Sequence, residues 1–251
     1  MSEAMEAEFD TIAEWTAQAA ANLGPEFHVP AACRGSGSPA ALDWLIDRMG
    51  LEPGQVLLDS GAGIGGPAAY AARSRSIQPV LVEPEAGACR AARRLFDFPV
   101  VRALGNALPV ADSSFDAAWS LGVLCTTSDQ LTLLMELRRT VRFGGRIGLL
   151  AFVAHGAIPP GELADNHFPT TRRLVDLVRK ASLEVEQWHG TADLPAIPAT
   201  WQEREEAVTN TLADRHGHTR AWQLAEHQSG KIGQLLENET LTGELLVLRH
   251  G

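Results

Sequence analysis

Apolar positions along this chain alternate between short continuous runs and stripes of helical period, and each change marks an element boundary. Residues 2–23 place Met5, Phe9, Ile12 and Trp15–Thr16 on one helical face before Gly24 and Pro25 stop the helix. Residues 27–38, rich in glycine and serine, read as a loop. Ser38 is set to cap, and Pro39 to open, a helix ending near Met49. The apolar run from Val56 has strand length and closes on an acid, Asp59. A glycine-dense turn and an alanine-rich helix opened by Pro67 follow. Strands are expected at 79–82, near 100–103, and at 117–121, 146–152 and 183–188, with helices at 85–96, 129–141 and 169–181 between them. That rhythm predicts an α/β domain with a doubly wound, mostly parallel sheet. It breaks after 191, where two helical stretches, 199–215 and 219–237, precede a last strand at 243–249. One domain over 1–251 is therefore expected. Its parts are an N-terminal helical cap (1–50), a cofactor-binding core (51–190), a helical insertion placed as a lid or substrate wall (191–239) and a final strand (240–251).

The turn after Val56–Asp59 carries the chemistry. Its glycines satisfy two patterns at once: Gly61-x-Gly63-x-x-Gly66 for a dinucleotide, and Gly61-x-Gly63-x-Gly65 for S-adenosylmethionine (SAM). Glu83, at the tip of the next strand, suits the ribose diol of either. Asp59 separates them. A carboxylate beside this turn would repel a pyrophosphate, but it attracts the ammonium and sulfonium of SAM.

Charge and cysteine content narrow the setting. A formal net charge of −10 argues against a nucleic-acid partner, and Arg90, Arg93 and Arg94 read as a solvated helix face. Cys33, Cys89 and Cys125 are too scattered for a metal site or a disulfide frame, which points to reduced thiols and a cytoplasmic location. No run approaches the length of a membrane span, and the acidic N-terminus is unlike a secretion signal. No membrane partner is expected. The oligomeric state stays open, a homodimer being one option.

Four segments in order give the chain a family likeness: Leu57–Gly65, Val82-Glu83-Pro84, Gly105–Asp116 and Leu137–Ile147. Together they resemble the class I SAM-dependent methyltransferases, in the small-molecule branch that includes sterol, quinone and natural-product enzymes. The resemblance implies a Rossmann-like, seven-stranded, mostly parallel sheet. It also implies a role for each matching residue. Gly61, Ala62 and Gly63 bring main chain to the methionine part of SAM, and Asp59 orders its ammonium. Glu83 accepts both ribose hydroxyls, and Pro84 flanks the adenine. Asn106 stands where the family usually has an acid for the adenine amino group, a task an amide oxygen can also perform. The Ala107 backbone pairs with the ring edge. Ser120 and Leu121 end the fourth strand under the methionine moiety, Leu121 offering its carbonyl. Phe143, where proline is common, changes only turn chemistry. Arg34 is a possible partner for the SAM carboxylate.

Methyl transfer needs alignment, exclusion of water and, for a hydroxyl or acidic carbon, a base. His155, His189 and His167 lie on loops expected at the carboxyl edge and are the candidate bases. Trp188, Trp201, Trp222 and Cys125 are candidates for the substrate wall, with simple packing as the alternative for each. His216 and His218 lack further ligands, so no metal is expected. The expected activity is methyl transfer from SAM to oxygen, nitrogen or carbon of a small organic acceptor, in a setting such as secondary metabolism. The alternatives are a SAM fold running another reaction, a non-catalytic SAM-binding subunit, and an NAD(P)-dependent oxidoreductase.

Overall fold

The computed structural model, which describes residues 7–158, 163 and 165–251, places seven strands in one sheet. They are β1 (Val56–Ser60), β2 (Gln78–Glu83), β3 (Val100–Arg102), β4 (Phe115–Leu121), β5 (Val141–Ala154), β6 (Leu183–Gly190) and β7 (Leu241–His250). Their order is β3-β2-β1-β4-β5-β7-β6, with β7 antiparallel between β5 and β6 and the first five strands parallel. This is the α/β sheet expected from the sequence. Chain order reverses between β1 and β4, so their carboxyl tips splay into a crevice, the usual ligand position in such sheets.

Nine α-helices surround it among the described residues: α1 (Ala13–Leu23), α2 (Pro25–Ala32), α3 (Pro39–Met49), α4 (Gly66–Arg75), α5 (Ala86–Leu95), α6 (Gln130–Thr140), α7 (Thr171–Lys180), α8 (Ala199–His216) and α9 (Arg220–Glu237). Strand alternation sorts the core onto two faces. Leu57, Trp119, Leu150 and Leu245 pack against α3 and α4 on one side. Leu58, Ala118, Leu149 and Leu246 meet Leu133, Leu134, Leu137, Leu174 and Leu177 of α6 and α7 on the other. Ser38 caps α3 as expected, its Oγ accepting from the Ala41 N–H at 3.3 Å.

Three local expectations shift. The described part of the first helical stretch begins with a π-wound turn, Ala7–Ile12, before α1; Met5 lies outside the described residues. Within the expected loop 27–38, residues up to Ala32 are helical. Pro30 sits inside that helix and lacks a donor, but burial of Val29, Ala31 and Ala32 outweighs one missing bond in an 8-residue helix. Finally, β5 starts at Val141 rather than 146. Phe115 pairs with Val141 and Ala117 with Arg146, so the residues around Gly144, at φ 78°, bulge out of the ladder.

A second core joins the two ends of the chain. Ala17, Ala20, Ala31 and Ala32 of the N-terminal helices pack with Ala88 and Ala91 of α5, and with Val208, Leu212, Trp222 and Ala225 of α8 and α9. Trp222, a candidate for the substrate wall, is thus a buried member of this core and is not among the residues lining the cavity between cap and insertion. Its ring fills a space left by small neighbours. No helix among the described residues is long and apolar enough to cross a membrane.

Trp222→Ala should cost about 3–5 kcal/mol, the range for removing a buried aromatic. The measurement is a fall in the urea midpoint with little change in slope. A midpoint at the wild-type value would place the ring outside the core.

Candidate active site

The crevice is framed by the turn between β1 and α4. Gly61, at φ 75°, donates its N–H to the Val82 carbonyl at 2.8 Å. A Cβ there would lie 2.3 Å from Val123 Cγ2, so bare main chain at this position serves packing between the tips of β1 and β4. Gly63 differs. Its φ of 53° is also left-handed, yet a Cβ would meet nothing within 4 Å. Gly63 is therefore the turn position that opens onto space a ligand can enter, a distinction that spacing alone does not reveal. Ala62 is buried, and its N–H also goes to the Val82 carbonyl, at 3.1 Å.

Two buried carboxylates face this turn. Glu83 accepts from the Gly63 N–H at 2.8 Å on Oε2 and from the Glu85 N–H at 3.0 Å on Oε1. Burial pushes its pKa up to about 7 against the opposing pull of those two bonds. Each oxygen keeps a lone pair for a further donor. Asp59 is fully enclosed, and burial likewise raises it to about 7; the nearby Trp119 side chain opposes the shift and the Glu83 charge adds to it. Asp59 Oδ2 has no hydrogen-bond partner. Neither does Ser60 Oγ or Trp119 Nε1, and these three are the unpartnered buried side-chain polar atoms among the described residues. All three belong to β1 and β4, the strands that flank the switch point. Asp59 and Trp119 stand side by side in the β1–β4 register and face one side of the sheet, Ser60 the other. Buried polar atoms ordinarily find partners, so the unmet Asp59 Oδ2 beside the glycine turn is the atom open to a polar ligand.

The remaining cofactor candidates gather along the same edge. Ser120 Oγ donates to the Ser60 carbonyl at 2.9 Å, tying β4 to β1, and Leu121 is buried beside it. The Pro84 carbonyl is held by Arg102 Nε at 2.8 Å. Asn106 Nδ2 donates to Asp129 Oδ2 at 3.1 Å, which leaves its amide oxygen as the acceptor; Asp129 was not singled out from the sequence because it lies 23 positions away. The Ala107 N–H departs from expectation. It closes a turn onto the Leu104 carbonyl at 3.1 Å, so it is already engaged as a donor.

Residues 33–37 run over the crevice. A Cβ on Gly66 would sit 2.6 Å from the Cys33 nitrogen, and one on Gly122 would sit 2.7 Å from the Gly35 carbonyl oxygen. Above them lies a cavity of about 420 Å³ between the N-terminal helices and the insertion, its walls including Cys33, Arg34, Trp201, Glu205, Val208 and Glu226. Arg34 Nη2 donates to Glu226 Oε1 at 2.9 Å and so links this loop to α9. Cys33 is buried and its thiol pushed well up, first by burial and then by the charges of Glu205 and Asp59. The thiol thus lies within reach of both the cavity and the crevice. Glu205 is the acid that sequence reasoning missed; on a long polar helix nothing distinguishes it from its neighbours Glu203 and Glu206.

The other candidates fall elsewhere. None of the three histidines lines the cavity. His155 Nε2 pairs with Thr242 Oγ1 at 2.8 Å, Thr242 donates to Glu244 at 2.7 Å, and Trp188 Nε1 donates to Glu244 at 2.6 Å. That chain lies on the α6–α7 side of the sheet, because Thr242 and Glu244 stand opposite Val153 and Ala151, and Trp188 packs there too. His189 stacks on Trp44, with ring centroids 5.6 Å apart. His167 is exposed and anchored by its backbone to the Cys125 carbonyl at 2.7 Å. Cys125 is buried, donates to the Gly122 carbonyl at 3.4 Å, and is pushed up to about 12 by burial. It is a packing residue. Of the aromatic candidates, Trp201 alone lines the cavity.

Residues 58–149 match the family model described as a methyltransferase domain. Over that span the chain is similar to a methyltransferase domain. Methyltransferase GfsG from Streptomyces halstedii is 30% identical over 121 residues, covering 45% of this chain and 44% of that protein. The chain spans less than half the length of the curated relatives it matches. Among solved structures, the [4+2]-cyclase SpnF superposes with a TM-score of 0.65 at 23% identity, over 83% of this chain and 78% of that one. Phosphoethanolamine N-methyltransferase 2 of Haemonchus contortus, in complex with SAM, superposes with a TM-score of 0.67 at 18% identity, over 83% of this chain and 51% of that one. The two superpositions establish a shared fold.

Two predictions concern the turn itself. Gly61→Val should lower the melting temperature strongly through its clash with Val123, whereas Gly63→Ala should cost only the left-handed strain of about 1–2 kcal/mol. Equal losses in calorimetric scans would remove the distinction between the two glycines. Asp59 ionises at about 7 in the folded chain instead of 3.8, so the fold disfavours its charged form. Stability is then greatest below the ordinary carboxylate range and falls as pH rises toward about 7. Asp59→Asn should flatten the fall in melting temperature between about pH 4 and 7, Glu83 keeping part of the slope; an unchanged slope would assign the titration elsewhere.

Proposed function

We propose that this chain is a SAM-dependent methyltransferase acting on oxygen, nitrogen or carbon of a small organic acceptor, in the cytoplasm and in secondary metabolism. The observation that carries the reading is the enclosed Asp59, whose Oδ2 lacks a partner beside a turn that is open at Gly63. Two carboxylates ionising at about 7 in one crevice invite a cation and disfavour a pyrophosphate. The residues present therefore fit SAM. When bound, SAM supplies an electrophilic methyl group on a sulfonium.

The chain's own residues would do the rest. Asp59 pairs with the ammonium, and Glu83 accepts the ribose hydroxyls on the lone pairs left by Gly63 and Glu85. Asn106, braced by Asp129, offers its amide oxygen to the adenine amino group, with Pro84 alongside. Arg34 stands at the junction of crevice and cavity. The described residues of the N-terminal segment, 7–50, act as a cap and residues 191–239 as a lid, and together they exclude water from the reacting centre. The acceptor enters the cavity between them, against Trp201. A second reading, a SAM fold applied to ring closure, is supported by the likeness to a protein described as a [4+2]-cyclase.

Calorimetric titration should give binding of SAM and none of NAD(P)H. Glu83→Ala should weaken SAM binding by about 1–3 kcal/mol, the scale of polar bonds left unmade in a buried site. Binding of the dinucleotide instead, or an undiminished affinity in the mutant, overturns the reading. Mass spectrometry of small metabolites incubated with labelled SAM then separates methyl transfer from ring closure.

A further inference from the structure

The cavity between cap and lid has a polarity that narrows its occupant. Its inner wall is Trp201, Val208 and Leu212, and its volume of about 420 Å³ is that of a small-ligand pocket. Glu226 is tied up with Arg34 at 2.9 Å. Glu205 is the other carboxylate in the wall, one helical turn from Trp201 on α8. Cys33 lines the same cavity, and its thiol feels the charges of both Glu205 and Asp59. Resting on the functional reading above, we propose that Glu205 is a catalytic base that takes the proton from a ring-bearing acceptor with an ionisable hydroxyl, of phenol or enol type.

The chemistry of the wall favours that class. An amine in contact with this half-buried carboxylate would be held as its ammonium, which has no lone pair for attack. A hydroxyl gains from the same contact, because hydrogen bonding to a carboxylate increases electron density on its oxygen. Burial raises Glu205 from its ordinary range, while Trp201 and the Arg34 charge favour its ionised form. A base brought nearer to neutral pH is better matched to an acidic hydroxyl. The step moves one proton: the O–H bond breaks, the proton goes to a Glu205 carboxylate oxygen, and the electron pair stays on the acceptor oxygen, which becomes the nucleophile. Glu205 leaves the step neutral and returns its proton to solvent when the cavity opens.

The test compares a hydroxyl with its own methyl ether, 2-naphthol against 2-methoxynaphthalene, titrated by fluorescence into protein saturated with S-adenosylhomocysteine. Wild type should prefer the naphthol by about ten-fold, the worth of one hydrogen bond to a charged group. Glu205→Gln should reduce the preference to about two-fold, with an unchanged melting temperature and an unchanged affinity for S-adenosylhomocysteine. Glu205→Asp, which keeps the charge, should retain part of it. Equal binding of the two probes by wild type, binding of neither, or an undiminished preference in Glu205→Gln overturns the proposal. So does loss of S-adenosylhomocysteine binding in Glu205→Gln, which would place the residue in the cofactor crevice. Failure of wild type to bind S-adenosylhomocysteine overturns the functional reading instead, so the two failures are separable.

Discussion

Two acids enclosed at the tips of adjacent strands impose the main constraint on this molecule. Asp59 and Glu83 cannot both be ionised there without cost, since each is cut off from water and Asp59 feels the charge of Glu83. Main-chain donors from Gly63 and Glu85 offset part of that cost for Glu83. Nothing equivalent reaches Asp59 Oδ2. The fold therefore carries local electrostatic strain at the switch point of its sheet, where a bound cation would relieve it. Binding and proton release are coupled at such a site, because a cationic ligand draws both acids toward their charged forms.

The sheet supplies the crevice but not its cover. The cover comes from both ends of the chain, as helices before β1 and helices before β7 pack on each other and on α5. Residues 33–37 lie between these layers, in contact with the glycine turn below and the cavity above. The Arg34–Glu226 pair spans the same junction and is partly exposed, so it orients the loop more than it stabilises it.

Much of this was legible in the sequence because its signals are local. The spacing of Gly61, Gly63 and Gly65, the acid at Asp59 and the acid at Glu83 each follow from a strand tip and the turn after it. Element order followed from the same punctuation. Elsewhere local reading failed for physical reasons. Pro30 marks a break by propensity, but burial of its neighbours keeps the segment helical. His155 and Trp188 do end strands at the carboxyl edge, yet side-chain direction along β7 places their partners on the face away from the cavity. Glu205 carried no mark at all, because its distinction is depth within a pocket formed by elements far apart in the chain. Asp129 was hidden in the same way behind Asn106.

The second core is seated largely through alanines: Ala17, Ala20, Ala31, Ala32, Ala88, Ala91 and Ala225. Methyl-sized contacts give smooth helix surfaces with few interlocking side chains. Between such surfaces the axial register falls to the few large rings that do interlock, Trp222 within the core and Trp15 stacked on His216 at 3.8 Å, so these two positions hold the layers against slippage.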